Sequence, residues 1–193
     1  MHGADGSRPA DPPEKIAIEG ASLRLLTPHI DDRGALTELM RMSWLSDMPQ
    51  PKQWNFTRSH PNVLRGVHVH AVHWDFLIFL DGKATVGLVD FRTGSATYRK
   101  TQVLRLGGEP LSLLTIQPGI GHGFYFPDGG TYIYGLSSYW DPVNDEFGCR
   151  WDDPALGLVW GIEATPILSP RDDSAGTAGQ MLKEMRGKAP WCE

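Results

Sequence analysis

Histidine is the residue type in this sequence best suited to chemistry near neutral pH. His68 and His70 lie two positions apart in an apolar segment, His73 follows shortly after, and His122 stands in a turn flanked by proline and glycine. If the first segment is a strand, His68 and His70 point to the same face, because side chains alternate along a strand. Imidazole can act as a base near neutral pH, and it also binds divalent metal ions. A single histidine is more often structural, but this paired spacing favours a functional site.

The composition predicts the kind of scaffold that positions these histidines. Glycine (22 residues) and proline (15 residues) are more frequent than in an average protein, which indicates many short elements separated by turns. The turns recur at intervals of roughly 8–12 residues, a spacing typical of all-β sandwiches and barrels. Strands are predicted at residues 15–19, 22–26, 74–80, 84–91, 101–106, 112–116, 123–126 and 131–136. Residues 35–40 fit either a strand or a short helix, the pair Asp81-Gly82 predicts a hairpin turn, and residues 175–186 predict a helix.

Length and charge limit the number of domains and the classes of partner. A chain of 193 residues predicts one domain, here residues 16–187, with a disordered tail at 1–15 and a short tail at 188–193. The formal net charge of −5 argues against a nucleic acid or an anionic membrane as the main partner. Two cysteines exclude a disulfide framework, and no apolar run has the roughly 20 residues of a membrane span. The first residues contain no apolar leader, which favours a soluble cytoplasmic protein.

An acid, a glycine and a later histidine follow the first two histidines along the chain. The order is His68, His70, Asp75, Gly82 and His122. It resembles the pattern of the cupin superfamily, in which His-X-His is followed by an acid, a glycine and a distant histidine. In metal-binding cupins these side chains bind a divalent metal ion, so one hypothesis is a metal site formed by His68, His70, Asp75 and His122. Cupins usually have glutamate at the acid position, and the aspartate has a shorter reach.

A longer series of motifs runs from about residue 27 to residue 173. The motifs lie at residues 31–34 together with Glu38, and at residues 53–55, 63–68, 89–97, 118–124, 134, 140–142, 151–157 and 168–172. Each segment alone is a weak signal, but the order of all of them along the chain indicates common ancestry with the family that they resemble. The series resembles the dTDP-4-dehydrorhamnose 3,5-epimerases, the RmlC-like cupins that act on nucleotide-linked 4-keto-6-deoxy sugars in deoxysugar biosynthesis. This resemblance implies an all-β cupin jelly roll, a β-sandwich or barrel, with a short C-terminal helix.

The resemblance also implies a cofactor-free epimerase with defined site residues. His68 would be the base that removes a proton beside the sugar ketone, Asp172 the carboxylate that orients its ring, and Tyr134 the acid on the opposite face of the sugar. The nucleotide-sugar substrate would be bound by Arg33, Glu38, Gln53, Asn55, Arg65, His122 and Trp140. Guanidinium groups suit the diphosphate, because their forked donors match phosphate oxygens. Arg33 and Glu38 would reach the site of a second subunit in a homodimer that exchanges its N-terminal strands.

The sequence departs from this family at two positions. Where the family has a lysine that stabilises the enolate, this chain has Asp75, and a carboxylate would repel that charge. Leu36 replaces a phenylalanine that stacks on the nucleotide base. Three interpretations follow: an epimerase in which His70, Arg65 or a neighbour replaces the lysine, a metal-binding cupin, or a nucleotide-sugar-binding protein without catalysis. A resemblance to nucleotide-sugar 3,4-ketoisomerases is less extensive, because those enzymes lack the long C-terminal part.

Overall fold

The chain forms two antiparallel sheets of five strands each in the computed structural model, which describes residues 16–45 and 47–192. The strands are β1 (Ala21–Leu25), β2 (Pro28–Asp31), β3 (Gly34–Thr37), β4 (Gln53–Ser59), β5 (Val63–Val69), β6 (Asp75–Gly82), β7 (Ala84–Asp90), β8 (Thr101–Leu106), β9 (Ser112–Ile116), β10 (Ile120–Phe126), β11 (Gly130–Leu136) and β12 (Phe147–Gly148). The first sheet has the strand order β1-β9-β6-β11-β4 and the second has the order β12-β5-β10-β7-β8, while β2 and β3 form a separate hairpin. The prediction of an all-β chain is confirmed.

Side chains from both sheets share one apolar core, so the sheets pack face to face. Leu77 and Leu114 come from the first sheet, and Leu88 and Phe124 come from the second. Burying a side chain of this size stabilises a fold by roughly 1.5–3 kcal/mol. The packing of the two sheets therefore provides much of the stability that a site between them requires.

The C-terminal segment covers the outer face of the second sheet. The ring of Trp160 packs against Gly87 of β7 and Gly123 of β10. Met181 and Met185 belong to the same buried cluster as this tryptophan. Every residue of β7 and β10 is buried, because both faces of these strands are covered. This explains why their sequences are mostly apolar and do not alternate with polar residues.

Two short helices lie in the C-terminal segment. The predicted helix is present as α2 (Ala178–Met185), and its start is stabilised by a capping box between Thr177 and Gln180. A shorter helix, α1 (Pro170–Asp173), was not predicted from the sequence. Residues 188–192, which the sequence assigns to a tail, lie against the core. None of the helices in the described ranges is long and apolar enough to cross a membrane.

Two local predictions were wrong. Asp81 and Gly82 do not form a hairpin turn, because both lie within β6 and pair with β11, and β7 belongs to the other sheet. Residues 16–19 do not form a strand: the N–H groups of Ala17 and Glu19 donate to the side chains of Gln102 and Thr97 rather than to a neighbouring strand. Their apolar residues are buried in the core without strand pairing. Residues 1–15 lie outside the described ranges, and the ambiguous segment 35–40 contains the end of β3.

A buried ion pair at the end of β7 holds the connection to β8. The carboxylate of Asp90 is fully buried and accepts hydrogen bonds from Arg92 Nε at 2.9 Å, Ser95 Oγ at 2.6 Å and Thr97 Oγ1 at 2.6 Å. Burial alone would raise the pKa of Asp90, but these hydrogen bonds lower it below its ordinary value. The motif at 89–97 therefore has a structural role in this chain, since its polar residues bind one another.

Replacing Asp90 by asparagine should lower the free energy of unfolding by about 3–5 kcal/mol, because Arg92 would keep a buried charge without its partner. Because the folded-state pKa of Asp90 is depressed, the ion pair stabilises the protein fully at neutral pH. This stabilisation is lost only as the pH falls below about 4. Urea unfolding at pH 7 measures the effect. The control Asp128→Asn, at an exposed loop position, should change the free energy by less than about 0.5 kcal/mol. Equal values for the two variants would contradict the structural role.

Candidate active site

A cavity of about 250 Å³ gathers polar side chains from both sheets. Its lining residues are Thr57, Arg65, His68, His70, His73, Asp75, Leu77, His122, Phe124, Tyr132, Tyr134, Leu136, Trp140, Glu146 and Arg171. Two larger depressions, of about 400 Å³ and 660 Å³, lie elsewhere on the described part of the chain and contain none of the histidines. Because ionisable groups converge in the smaller cavity, it is the candidate active site.

His68 and Asp172 are far apart in the sequence, and the fold brings them into contact. His68 Nε2 lies 2.7 Å from Asp172 Oδ1, and the backbone N–H of Gly66 donates to Asp172 Oδ2 at 3.3 Å. Burial alone would raise the pKa of Asp172, but the hydrogen bond and charge of His68, together with the Gly66 N–H, lower it below its ordinary value. An ionised carboxylate favours the tautomer of His68 with a proton on Nε2. Nδ1 has no hydrogen-bond partner within residues 16–45 and 47–192, and it is the nitrogen that can take a proton.

Gly66 allows the backbones of β5 and β10 to approach each other beside this contact. Its φ of +115° favours glycine, and a Cβ at this position would lie 2.7 Å from the carbonyl oxygen of His122. On the other side of the contact, the hydroxyl of Ser169 caps α1 by accepting the N–H of Asp172. The carboxylate is therefore positioned by a strand glycine and by a helix cap.

Tyr134 lines the cavity from the sheet opposite His68. It lies on β11 of the first sheet, whereas His68 lies on β5 of the second. Burial raises the pKa of the Tyr134 phenol, and the negative charges of Asp75 and Glu146 raise it further, against smaller opposite effects of neighbouring groups. The phenol therefore keeps its proton at neutral pH and can donate it. Of the three residues predicted to be catalytic, His68 and Tyr134 line this cavity, and Asp172 contacts His68.

A buried cluster of three histidines surrounds Asp75. Asp75 Oδ2 lies 3.4 Å from His70 Nε2 and 3.8 Å from His122 Nε2, and Asp75 Oδ1 lies 3.7 Å from His73 Nε2. The rings of His70 and His73 stack with their centroids 3.8 Å apart. Of the residues predicted for the alternative metal site, His70, Asp75 and His122 lie in this cluster, whereas the Nε2 of His68 is engaged by another carboxylate. His73 was not part of that prediction, and metal binding by the predicted set stays a prediction.

Two adjacent acids and an arginine hold the histidine cluster, and the sequence interpretation missed all three. His73 Nδ1 lies 2.7 Å from Asp145 Oδ2, and His70 Nδ1 lies 3.2 Å from Glu146 Oε1. Arg171 Nη1 donates to Glu146 Oε2 at 2.6 Å. Both acids lie in the loop before the two-residue strand β12. Their positions therefore show no alternation of the kind that marks buried residues in a strand. Of these three residues, only Arg171 could have been suspected from the sequence, because it is adjacent to the predicted site residue 172.

Two of the buried histidines differ in charge at neutral pH. Burial alone would lower the pKa of His73, but its hydrogen bond to Asp145 and the negative charge of Asp75 raise it to about 9. Burial lowers the pKa of His122 to about 4, with only partial compensation by Asp75. At neutral pH the first of these rings is therefore charged and the second is neutral.

The predicted binding residues of β4 and β5 lie at or beside the cavity. Arg65 lines it, and its Nε donates to Ser59 Oγ at 3.1 Å. Asn55 is the register partner of Tyr134 in the first sheet. Gln53 Oε1 accepts the backbone N–H of Trp140 at 3.0 Å. Gln53 therefore positions the tryptophan of the cavity rim, while His122 belongs to the buried cluster.

Arg33 and Glu38 do not line the cavity of their own chain. The side chain of Arg33 is 91% exposed and pairs with Asp31 at the turn between β2 and β3. Glu38 forms an ion pair with Arg41. Their predicted role lies in the site of a second subunit, and it stays a prediction.

The family model of the dTDP-4-dehydrorhamnose 3,5-epimerases matches residues 15–180 of this chain. The chain belongs to this family. A relative from Streptomyces griseus, named dTDP-4-dehydrorhamnose 3,5-epimerase, is 33% identical over 183 residues, which cover 91% of this chain and 90% of the relative.

Solved structures of family members are similar to this fold. RmlC from Legionella pneumophila, in complex with dTDP-4-keto-L-rhamnose, is 26% identical with a TM-score of 0.82, and the match covers 90% of this chain and 96% of that chain. ChmJ, a 3'-monoepimerase from Streptomyces bikiniensis in complex with dTDP-quinovose, is 28% identical with a TM-score of 0.79, and the match covers 89% of each chain. The predicted jelly-roll fold is confirmed. Epimerases of this family act without a cofactor or a metal ion.

Replacing Gly66 by alanine should destabilise the protein by at least about 1–3 kcal/mol, because a side chain at this φ is strained and the new Cβ has no room beside β10. Gly94 is a matched control, since a Cβ there would meet nothing within 4 Å. Gly94→Ala should change the free energy of unfolding by less than about 0.5 kcal/mol. Urea unfolding of both variants measures the difference, and a neutral Gly66→Ala would contradict the close approach of the two strands.

Proposed function

We propose that the protein epimerises a dTDP-linked 4-keto-6-deoxyhexose at C3, at C5 or at both carbons. The observation that carries this proposal is the 2.7 Å contact of His68 with Asp172, in a cavity that Tyr134 lines from the opposite sheet. Membership of the family supports the reaction class. The dTDP-sugars bound to two related structures support the substrate class.

The first step of the proposed reaction is removal of a proton by His68. A carbon beside a ketone is acidic enough for an imidazole base, and Nδ1 is the nitrogen available to take the proton. The ring then becomes an imidazolium, and Asp172 stabilises its charge through the Nε2–H. Because the pKa of Asp172 is low, the Nε2 proton stays on the ring and the carboxylate stays charged.

The second step is return of a proton by Tyr134. Inversion at carbon requires that the new proton arrive on the face opposite to the one that lost it. Tyr134 and His68 belong to opposing sheets, so a sugar ring between them has one on each side. The raised pKa of the phenol keeps its proton in place until the enolate forms.

The size and charge of the cavity suit the sugar part of the substrate. Its volume of about 250 Å³ is below the roughly 300–1,000 Å³ of typical sites for drug-sized ligands. We therefore place the hexose inside the cavity and the nucleotide at its mouth. Arg65 and Arg171 are the arginines of the lining, and Arg171 already pairs with Glu146. Arg65 is accordingly the better donor for the diphosphate, and Trp140, 54% exposed at the rim, offers a flat apolar surface to the nucleotide.

Incubation with a dTDP-4-keto-6-deoxyhexose in deuterated water tests the reaction. Deuterium should enter at C3, C5 or both, and proton NMR identifies which carbon exchanges. His68→Asn should slow this exchange by at least about 10²-fold, because the base is removed. His60→Asn, at an exposed histidine, is the matched control and should keep the full rate. Absence of exchange in the unaltered protein would favour the non-catalytic nucleotide-sugar-binding interpretation.

Tyr134→Phe separates the two steps in the same assay. Proton removal by His68 should continue, so deuterium should still enter the sugar. Formation of the inverted product should fall by about 10²-fold, because the acid on the opposite face is missing. An unchanged rate of inversion would exclude the phenol as the proton donor.

The proposal includes a homodimer, which the surface of the N-terminal half supports. The β2–β3 hairpin exposes Ile30 (78%) and Leu36 (64%), and a hairpin of two strands is only marginally stable alone. β4 is an edge strand of the first sheet and exposes Trp54 (44%) and Phe56 (61%) on one face. Unpaired strand edges with apolar side chains favour pairing with another chain. Exchange of the hairpin between two subunits would cover both features and carry Arg33 toward the second site.

Phe56→Glu should shift the protein from dimer to monomer, since a charge would be buried in the interface. Val159 is 79% exposed beside the outer face of the other sheet, so Val159→Glu is the matched control and should stay dimeric. Light scattering coupled to gel filtration measures both masses. A monomeric unaltered protein would contradict the homodimer.

A further inference from the structure

We propose that His70, His73 and Asp75 form a binding site for a divalent first-row transition-metal ion at the base of the cavity. The proposal goes beyond the epimerase reaction, whose steps use His68, Asp172 and Tyr134. It also concerns this chain rather than its family, whose members act without a metal ion.

The distances within the cluster fit metal coordination and do not fit hydrogen bonding. One ligand atom from each of the three residues can be chosen so that all lie within 4.8 Å of one another. His70 Nε2 is 3.4 Å from Asp75 Oδ2, and His73 Nε2 is 3.7 Å from Asp75 Oδ1. Hydrogen bonds from nitrogen to oxygen span about 2.7–3.2 Å, so these separations are too long. Two ligands that each lie about 2.1 Å from one tetrahedral ion are roughly 3.4 Å apart.

Two buried polar atoms of the cluster have no hydrogen-bond partner in the described part of the chain. They are His73 Nε2 and Asp75 Oδ2. Both residues are almost completely buried, with 1% and 3% of their surface exposed. Leaving a buried polar group unpaired destabilises the folded protein. A cation bound by both side chains would remove this cost, and no other described group satisfies these atoms.

Hydrogen bonds on the opposite ring nitrogens orient both histidines. His73 Nδ1 lies 2.7 Å from Asp145 Oδ2, and His70 Nδ1 lies 3.1 Å from the carbonyl oxygen of Asp145. Acceptors on Nδ1 place the proton there and leave the lone pair on Nε2, which is how metal-binding histidines are usually held. Binding would displace the second proton of His73, since ligands must be deprotonated. The acids missed by the sequence interpretation are thus the outer partners of the site.

The ligand types indicate the class of ion. Two imidazoles and one carboxylate suit iron, zinc and related divalent ions, whereas calcium and magnesium prefer oxygen ligands alone. Three protein ligands leave coordination positions open, and His122 Nε2, 3.8 Å from Asp75 Oδ2, lies near one of them. The family resemblance implies a lysine where this chain has Asp75. A cation bound here would place positive charge at that position.

Binding of Zn²⁺ to the chelator-treated full chain tests the site. Isothermal titration should show one Zn²⁺ per chain, and Co²⁺ in its place should give visible absorption bands typical of a nitrogen- and oxygen-ligated ion. Asp75→Asn and His73→Gln should each weaken Zn²⁺ binding at least about tenfold and abolish the bands. The measurement uses no substrate, so its failure is distinct from failure of the proposed epimerase.

Two controls assign the ligands. His68→Asn should bind Zn²⁺ as the unaltered protein does, because His68 is outside the set, and His60→Ala should do the same, because that histidine is exposed. Circular dichroism confirms that each variant is folded, and His70→Gln replaces any variant that is not. Three results would overturn the proposal: no stoichiometric binding by the unaltered protein, full binding by folded Asp75→Asn, or a loss in His68→Asn as large as in His73→Gln.

Discussion

The contact between His68 and Asp172 joins two parts of the fold that are distant in sequence, and the proposed catalytic geometry depends on it. The histidine lies on an inner strand of the second sheet, and the carboxylate lies on a four-residue helix near the C-terminus. So short a helix is not stable alone. It is held by its Ser169 cap and by the apolar packing of the C-terminal segment on the outer face of the same sheet. Packing on the outer face of the sheet thus positions the carboxylate of Asp172 against the ring of His68, which faces the cavity.

Electrostatics impose a second constraint on the cavity. An enolate would need positive charge nearby, and the resemblance implies a lysine at the position that Asp75 occupies here. The structure surrounds this aspartate with three imidazoles and supports two of them with Asp145 and Glu146. Acidic and basic side chains therefore alternate outward from Asp75, from its carboxylate to the imidazoles and then to the carboxylates of Asp145 and Glu146. A proton on His73 or a bound cation can each supply positive charge beside the reacting sugar, whereas an unpaired carboxylate cannot.

Much of the fold and part of the site could be predicted from the sequence, for physical reasons that differ between elements. The strands β8 and β9 were predicted with their observed bounds because turn residues flank them on both sides. The pair Asp81-Gly82 predicted a hairpin turn but lies within β6, because pairing with β11 outweighs the local turn preference of these two residues. The contact of His68 with Asp172 and the position of Tyr134 at the same cavity agree with the roles predicted from ordered motifs, and those roles stay a prediction. Asp145 and Glu146 were not predicted because they lie in a loop. In a loop, neither hydrophobic periodicity nor the spacing of a motif indicates that an acid is buried.

The late position of Asp172 in the chain has a consequence for synthesis on the ribosome. Every strand of both sheets is complete once residue 148 has been made. The sandwich can therefore begin to assemble while the carboxylate partner of His68 is still untranslated. A nascent chain at that stage has most of the cavity wall, including Tyr134, but lacks Arg171 of the lining and the carboxylate that contacts His68. The contact between His68 and Asp172 can thus form only after residue 172 has been made, when every strand of both sheets has already been synthesised.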